Sequence, residues 1–163
     1  MKIGLISDTH DNISAVRDAV KVFNNCEVSR ILHAGDIISP FVIKEFKTSL
    51  SPVTFIYGNN DGEILHLKKV ISESSFELAG RFYQGNLGGK MIAMIHGDTP
   101  IVKSLIKSKM YDIIVSGHTH KRVEERADSV LHVNPGEACG YLTGEKSVCV
   151  LDTESLNVEY IFL

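Results

Sequence analysis

No stretch of this chain approaches the roughly 20 consecutive apolar residues that a membrane-crossing helix requires. The apolar opening Met1-Lys2-Ile3-Gly4-Leu5-Ile6-Ser7 passes straight into Asp8-Thr9-His10 and is too short for a signal peptide. No membrane partner and a cytoplasmic location are therefore expected. Basic residues are not in surplus: 17 Lys and Arg face 20 Asp and Glu, so no strong nucleic-acid surface is expected. An anionic substrate would need local positive charge, which bound cations can supply. Three cysteines, Cys26, Cys139 and Cys149, form no CxxC pair and lack metal-ligand spacing. An odd, scattered set argues against a disulfide framework and suits a reducing compartment. No linker or low-complexity tract divides the sequence, so its 163 residues predict one domain, 1–163, long enough to bury a real core.

What is present is a series of short apolar runs, each ending in polar residues. Tyr111 to Val115 reads as a buried strand that leads into Ser116-Gly117-His118-Thr119-His120. Residues two apart on an extended chain point to one side, so His118 and His120 can aim at one spot. Alone, such a pair is more readily one core and one surface histidine. Four further runs change the odds. Lys2 to Ser7 ends at Asp8 and His10, and Arg30 to His33 ends at Asp36. Pro52 to Tyr57 ends at Asn59, and Lys90 to Ile95 ends at His96. In a largely parallel sheet, strand C-termini share the edge where ligands bind. Three Asp/Asn oxygens and four imidazoles would then face one crevice. Mixed nitrogen and oxygen ligation suits Mn, Fe, Co, Ni or Zn and suits Mg or Ca poorly. Seven ligands exceed the needs of one ion and match two ions sharing a carboxylate, about 3.5–4 Å apart.

Helices are predicted between the strands. Asn12 caps one over Asn12 to Val22, with Ile13, Val16, Ala19, Val20 and Phe23 at helical spacing. Ser39 and Pro40 open a second that reaches Thr48, and a polar one covers Glu63 to Ser72. Thr99 and Pro100 open a fourth that reaches Met110. The second half adds strands at Phe76–Leu78, Arg81–Tyr83, Arg122–Glu125, Val130–Val133, Ser147–Leu151 and Val158–Phe162. The total is about ten strands and three or four helices.

The ordered signatures Asp8-Thr9-His10, Gly35-Asp36, Gly58-Asn59-Asn60-Asp61, His96-Gly97 and Gly117-His118-Thr119-His120 carry a family resemblance across essentially the whole chain. The sequence resembles the calcineurin-like metallophosphoesterases. Within them it is most similar to the small, cap-less prokaryotic phosphodiesterases, to which the retromer scaffold subunit is related. The resemblance implies an α/β, four-layer αββα sandwich of two mixed β-sheets flanked by helices. It implies a metal-dependent phosphodiesterase in which water attacks the phosphoester between two divalent ions. Manganese is the first expectation, with nickel, zinc, iron or cobalt as alternatives. Asp8, His10 and His120 would hold one ion and Asn59, His96 and His118 the other. Asp36 would bridge them, and Asp36 and His118 would be the catalytic groups. The expected partner is a phosphoester substrate, and a homodimer or higher homo-oligomer is compatible with the sequence. A phosphomonoesterase and a non-catalytic protein-binding scaffold are the alternatives; a full set of seven competent ligands favours catalysis.

Two positions depart from the family pattern. Several relatives carry His, a suitable general acid, where this chain has Asn60, and an amide cannot donate a proton to a leaving group at neutral pH. In the loop Asn134-Pro135-Gly136-Glu137 the family more often has Ser where Glu137 stands. Other polar residues receive plainer expectations. His33 either orients Asp36 or is a buried structural histidine. His66 faces solvent, His132 is structural, and Asp61 either binds metal through water or caps the following helix, the cap being favoured. Asp98 is a turn residue or a partner of His96, and Lys121-Arg122 is a solvated strand edge. Gly35, Gly58, Gly97 and Gly117 permit tight turns beside the ligands.

Overall fold

Apolar side chains on both faces of the first strand, β1 (Lys2–Ile6), demand cover on both sides. A computed structural model describes residues 1–163 and shows both covers. One sheet has the order β11-β10-β1-β2-β3-β4, with β2 (Arg30–His33), β3 (Val53–Phe55), β4 (Glu77–Leu78), β10 (Ser147–Asp152) and β11 (Val158–Phe162). The second has the order β5-β6-β7-β9-β8, with β5 (Phe82–Leu87), β6 (Lys90–Ile95), β7 (Ile113–Val115), β8 (Arg122–Ala127) and β9 (Val130–Pro135). In the first, β1 to β4 run parallel while β10 and β11 pair antiparallel. In the second, β6, β7 and β9 run parallel between antiparallel edge strands.

Alternation along these strands sorts side chains into layers. Ile3, Leu5, Leu32 and Ala34 of one sheet meet Ile92, Met94, Ile113, Val115 and Val133 of the other, all fully buried. The outward residues Ile6 and Ile31 pack on α1 (Ile13–Asn25), α2 (Ile43–Phe46) and α3 (Ile64–Ser72) through Val16, Val20, Phe23, Phe46 and Leu67. On the far side Ala93, Ile114 and Val130 meet α4 (Ile101–Ser108) through Val102, Leu105 and Ile106. The layers are thus helices, sheet, sheet, helix. Each fully buried aliphatic contributes on the order of 1.5–3 kcal/mol, so the inter-sheet layer outweighs the contact under α4, a helix with no buried residue of its own. No helix is long and apolar enough to cross a membrane.

At Gly4, α1 packs directly against the sheet through Phe23. A Cβ there would lie 2.6 Å from Phe23 Cδ1 and 2.8 Å from Cε1, and Phe23 has no exposed surface into which to retreat. Gly4→Ala is expected to cost about 1–3 kcal/mol by overpacking, read as a lower denaturant midpoint. An unchanged midpoint would contradict this packing.

Local boundaries differ from the sequence expectation where a capping group is used elsewhere. Asn12 does cap α1, accepting from Ala15 N–H at 3.1 Å. Ser39 does not cap: its hydroxyl donates to Asp11 at 2.7 Å, and the segment breaks into a 3₁₀ turn, Pro40–Val42, and the single turn α2. Thr99 does not cap α4 either. Pro100 takes the boundary position without a side-chain bond, and Lys109, at φ 53°, ends the helix before Met110. There are eleven strands, and β5 and β8 run longer than expected because their polar edges pair as hairpins with β6 and β9.

Candidate metal centre

The polar residues that follow β1, β2 and β7 leave the sheets through unusual backbone. Asp8 (φ 53°), His10 (φ 40°), Asp36 (φ 56°), His118 (φ 68°) and His120 (φ 59°) all lie in the left-handed region. Non-glycine residues rarely go there, at a cost of about 1–3 kcal/mol each, and such strain clusters at functional sites. Long-range bonds hold these turns. Asp8 N–H donates to Gly35 O, and Thr9 and His10 N–H both donate to Asp36 O, each at 3.1 Å. His118 N–H donates to Asp8 Oδ2 at 3.0 Å, joining one sheet to the other. Two glycines make room: a Cβ on Gly58 would overlap Asp36 Oδ1, and one on Gly117 would overlap Ser7 Oγ.

The seven expected residues converge from both sheets, not from one. Asp8, His10, Asp36 and Asn59 come from the first sheet, and His96, His118 and His120 from the second. Asp36 Oδ2 lies 3.4 Å from His10 Nε2 and 3.4 Å from His96 Nε2. Asp8 Oδ1 lies 3.5 Å from His120 Nε2 and 3.9 Å from His10 Nε2. Asn59 and His118 sit at the outer end and pair with each other, Oδ1 to Nδ1 at 2.9 Å, with the His118 ring 5.2 Å from that of His96. Among the seven, two groups have ligand atoms mutually within 4.8 Å: Asp8, His10 and His120, and Asp8, Asp36 and His96.

Hydrogen bonds decide which ring nitrogens face inward. Ala34 O can only accept, so His96 Nδ1 carries the proton that bonds it at 2.8 Å, and Nε2 turns to the cluster. His120 Nδ1 bonds the Glu137 carboxylate at 2.7 Å, and its Nε2 likewise turns inward. Three buried atoms at the centre have no hydrogen-bond partner: Asp8 Oδ1, His10 Nε2 and His96 Nε2. Buried polar atoms without partners are costly, and all three are of metal-ligand type. The pocket also favours positive charge. Burial pushes the His96 imidazolium down, yet contact with Asp36 outweighs this and leaves its pKa raised. Burial pushes the Asp8 carboxyl up. Burial acts the same way on Asp36, but the nearby His96 imidazole and the two hydrogen bonds from Asn60 overcome it and hold that carboxyl well below the usual range. The residues present fit divalent cations.

Surrounding residues take clear duties. His33 is fully buried, accepts Gly35 N–H at Nδ1 and donates from Nε2 to Thr9 Oγ1, which donates to Asp36 O. It braces the Asp36 turn. Asp61 does not cap α3; its carboxylate accepts backbone N–H groups from Asp36, Ile38 and Gly58. Asn60 donates both its backbone N–H (2.9 Å) and its amide (2.7 Å) to Asp36. His66 is exposed beside Glu63, and His132 bonds Ser116 Oγ away from the cluster. Asp98 pairs with Arg81, and Arg122 pairs with Glu145. Glu137 is the residue that the sequence left without a role. It has no exposed surface, and burial pushes its carboxyl up, but bonds from His120, Thr143 and Cys139 bring it down to about 2. The available signal was an acidic residue in the otherwise uncharged loop Asn134 to Gly140. His120, Glu137 and Cys139 also lie close enough to hold an ion. Donors already saturate that carboxylate, and burial pushes the Cys139 thiol up to about 12, so this trio is a hydrogen-bonded brace.

A two-sheet sandwich with acidic, amide and imidazole side chains meeting at its parallel strand ends has the make-up of a metal-dependent hydrolase. The chain belongs to the calcineurin-like phosphoesterase superfamily, whose domain it matches over residues 1–156. It is 41% identical to a phosphodiesterase of Methanocaldococcus jannaschii, over 100% of this chain and 99% of that protein. It is 34% identical to a probable metallophosphoesterase of Methanothermobacter thermautotrophicus, over 99% and 92% of the two chains. A solved archaeal phosphodiesterase superposes over 100% of both chains with TM-score 0.95 and 40% identity. Vacuolar protein sorting 29 of Cryptosporidium parvum shares the fold, with TM-score 0.67 and 19% identity over 99% and 96% of the two chains.

Proposed function

We propose that this hydrolase is a phosphodiesterase that works with two divalent metal ions. Asp8, His10 and His120 would hold one, Asn59, His96 and His118 the other, and Asp36 would serve both. The observation that carries the reading is the set of three buried, unpartnered atoms, Asp8 Oδ1, His10 Nε2 and His96 Nε2, gathered around the Asp36 carboxylate. Bound cations would supply Lewis-acid activation of water and of the phosphoryl oxygens. The chain's own contribution is placement. Asn60 keeps Asp36 ionised and aimed, and Ala34 and Glu137 set the rotation and tautomer of His96 and His120. His118, on the outer rim, would help the ions to spread the developing charge on the substrate phosphate. Manganese is the first choice of metal, since mixed imidazole and carboxylate donors suit the transition series.

The test is hydrolysis of an aryl phosphodiester and of the matching monoester, with manganese or nickel and again after chelation. Diester turnover that chelation abolishes and metal restores is expected. Faster monoester turnover would favour a phosphomonoesterase, and no turnover of either would favour a scaffold. Asn60 cannot protonate a leaving group, and its amide is already committed to Asp36. Rates across substituted phenyl diesters are accordingly expected to fall steeply as leaving-group pKa rises, and a flat dependence would show that some group supplies the proton.

A further inference from the structure

The carboxylate of Glu137 faces two ways. Oε2 accepts from His120 Nδ1 at 2.7 Å, from Cys139 Sγ at 3.1 Å and from Tyr141 N–H at 3.1 Å. Oε1 accepts from Leu142 N–H at 3.0 Å, from Thr143 Oγ1 at 2.6 Å and from Thr143 N–H. One buried side chain therefore ties an imidazole of the metal centre to the turn that follows it. That turn leaves Tyr141 63% and Leu142 74% exposed. The two line a cleft of about 210 Å³ with His10, Asn60 and His120. A second cleft that His120 also lines, with Lys121, Arg122, Thr143, Glu145 and Ser147, has no apolar lining residue. An apolar group on a phosphate bound at the metal centre thus has one wall to pack against.

We propose that Glu137 is a positioning residue with two duties: it orients His120 toward the metal, and it shapes the 141–143 turn so that Tyr141 and Leu142 receive a planar aromatic substituent of the phosphoester. The proposal rests on the phosphodiesterase reading and names the substrate class for it. It also agrees with the chemistry of Asn60, since aromatic alcohols leave without help from an acid more readily than aliphatic ones.

The two halves are separable. Titration of the metal-free protein with manganese, followed by calorimetry, needs no turnover. Glu137→Gln is expected to weaken the metal by roughly 10–100-fold, the usual effect of removing a ligand's supporting partner. Glu137→Asp, which keeps the charge at shorter reach, is expected to weaken it less. Binding of phenylphosphonate against methylphosphonate to the manganese-loaded protein reads the wall. The wild type is expected to prefer the phenyl compound. Tyr141→Ala with Leu142→Ala is expected to erase about tenfold of that preference while leaving manganese affinity unchanged. Thr143→Val, which removes only the hydroxyl bond to Oε1, is expected to lower the phenyl preference and spare the metal. Wild-type manganese affinity in a folded Glu137→Gln would overturn the first duty. If that variant does not fold, wild-type affinity in Glu137→Asp does so instead. An unchanged phenyl preference in the double variant would overturn the second. Intact binding in both assays, with no hydrolysis of any diester, would refute the phosphodiesterase reading and not this one.

Discussion

Replacing Asp36 by Asn is expected to lower turnover of an aryl phosphodiester by roughly 1,000-fold or more, the scale at which loss of a preorganised electrostatic contact is felt, while the protein remains folded. The side chain stands where both halves of the cluster meet, 3.4 Å from His10 Nε2 and from His96 Nε2. Asparagine removes the negative charge that would offset two cations. It also turns an amide NH₂ toward one of the two donors of Asn60, so a bond becomes a donor–donor contact. The fold survives because the backbone carbonyl of residue 36, not its side chain, pins Thr9 and His10. Turnover and manganese titration of a variant with unchanged unfolding temperature make the measurement. Full activity in that variant would end the two-ion scheme.

The second large effect is on stability in acid. His33 is fully buried, and burial, aided by the positive field of His96, pushes its imidazolium down to about 3. In the unfolded chain the group titrates near 6.5. Below about pH 6.5 the unfolded state therefore holds a proton that the folded state refuses. Stability is full above that pH and falls toward pH 3, by about 1.4 kcal/mol for each pH unit. Between pH 6.5 and 4.5, above the range of ordinary carboxylates, His33 alone is expected to remove about 2–3 kcal/mol, a sizeable part of a typical 5–15 kcal/mol. His33→Gln keeps polar atoms in the space but has no proton to gain. Urea unfolding of both metal-free proteins across this window should show a shallower loss in the variant. Equal slopes would show that His33 is not held neutral.

Much of the architecture was legible because strand signals are local. The strands at Arg30–His33, Lys90–Ile95 and Val158–Phe162 appear with the bounds that their apolar runs predict. Errors arose where a side chain found a distant partner. Ser39 was free, by sequence, to cap a helix, but Asp11 takes its hydroxyl. Asp61 had the spacing of a cap, but its oxygens serve three backbone N–H groups, two of them across a chain crossing from Asp36 and Ile38. Glu137 looked like a loop residue with an unusual identity, because the donors that fill its two oxygens lie on a later turn and on His120. Each of these is a question of which donor reaches which acceptor, and one-dimensional spacing does not encode it.

The amino-acid sequence by itself determined the family, and it displayed the donor types that close its five apolar runs, oxygen and imidazole. Only the tertiary structure decided that those runs belong to two stacked sheets, which ring nitrogens face the centre, and that Asn60 and Glu137 brace it. The physical reason is that alternation is a property of a single strand. The partner across a sheet interface and the proton on a buried imidazole are set by whatever packs against them.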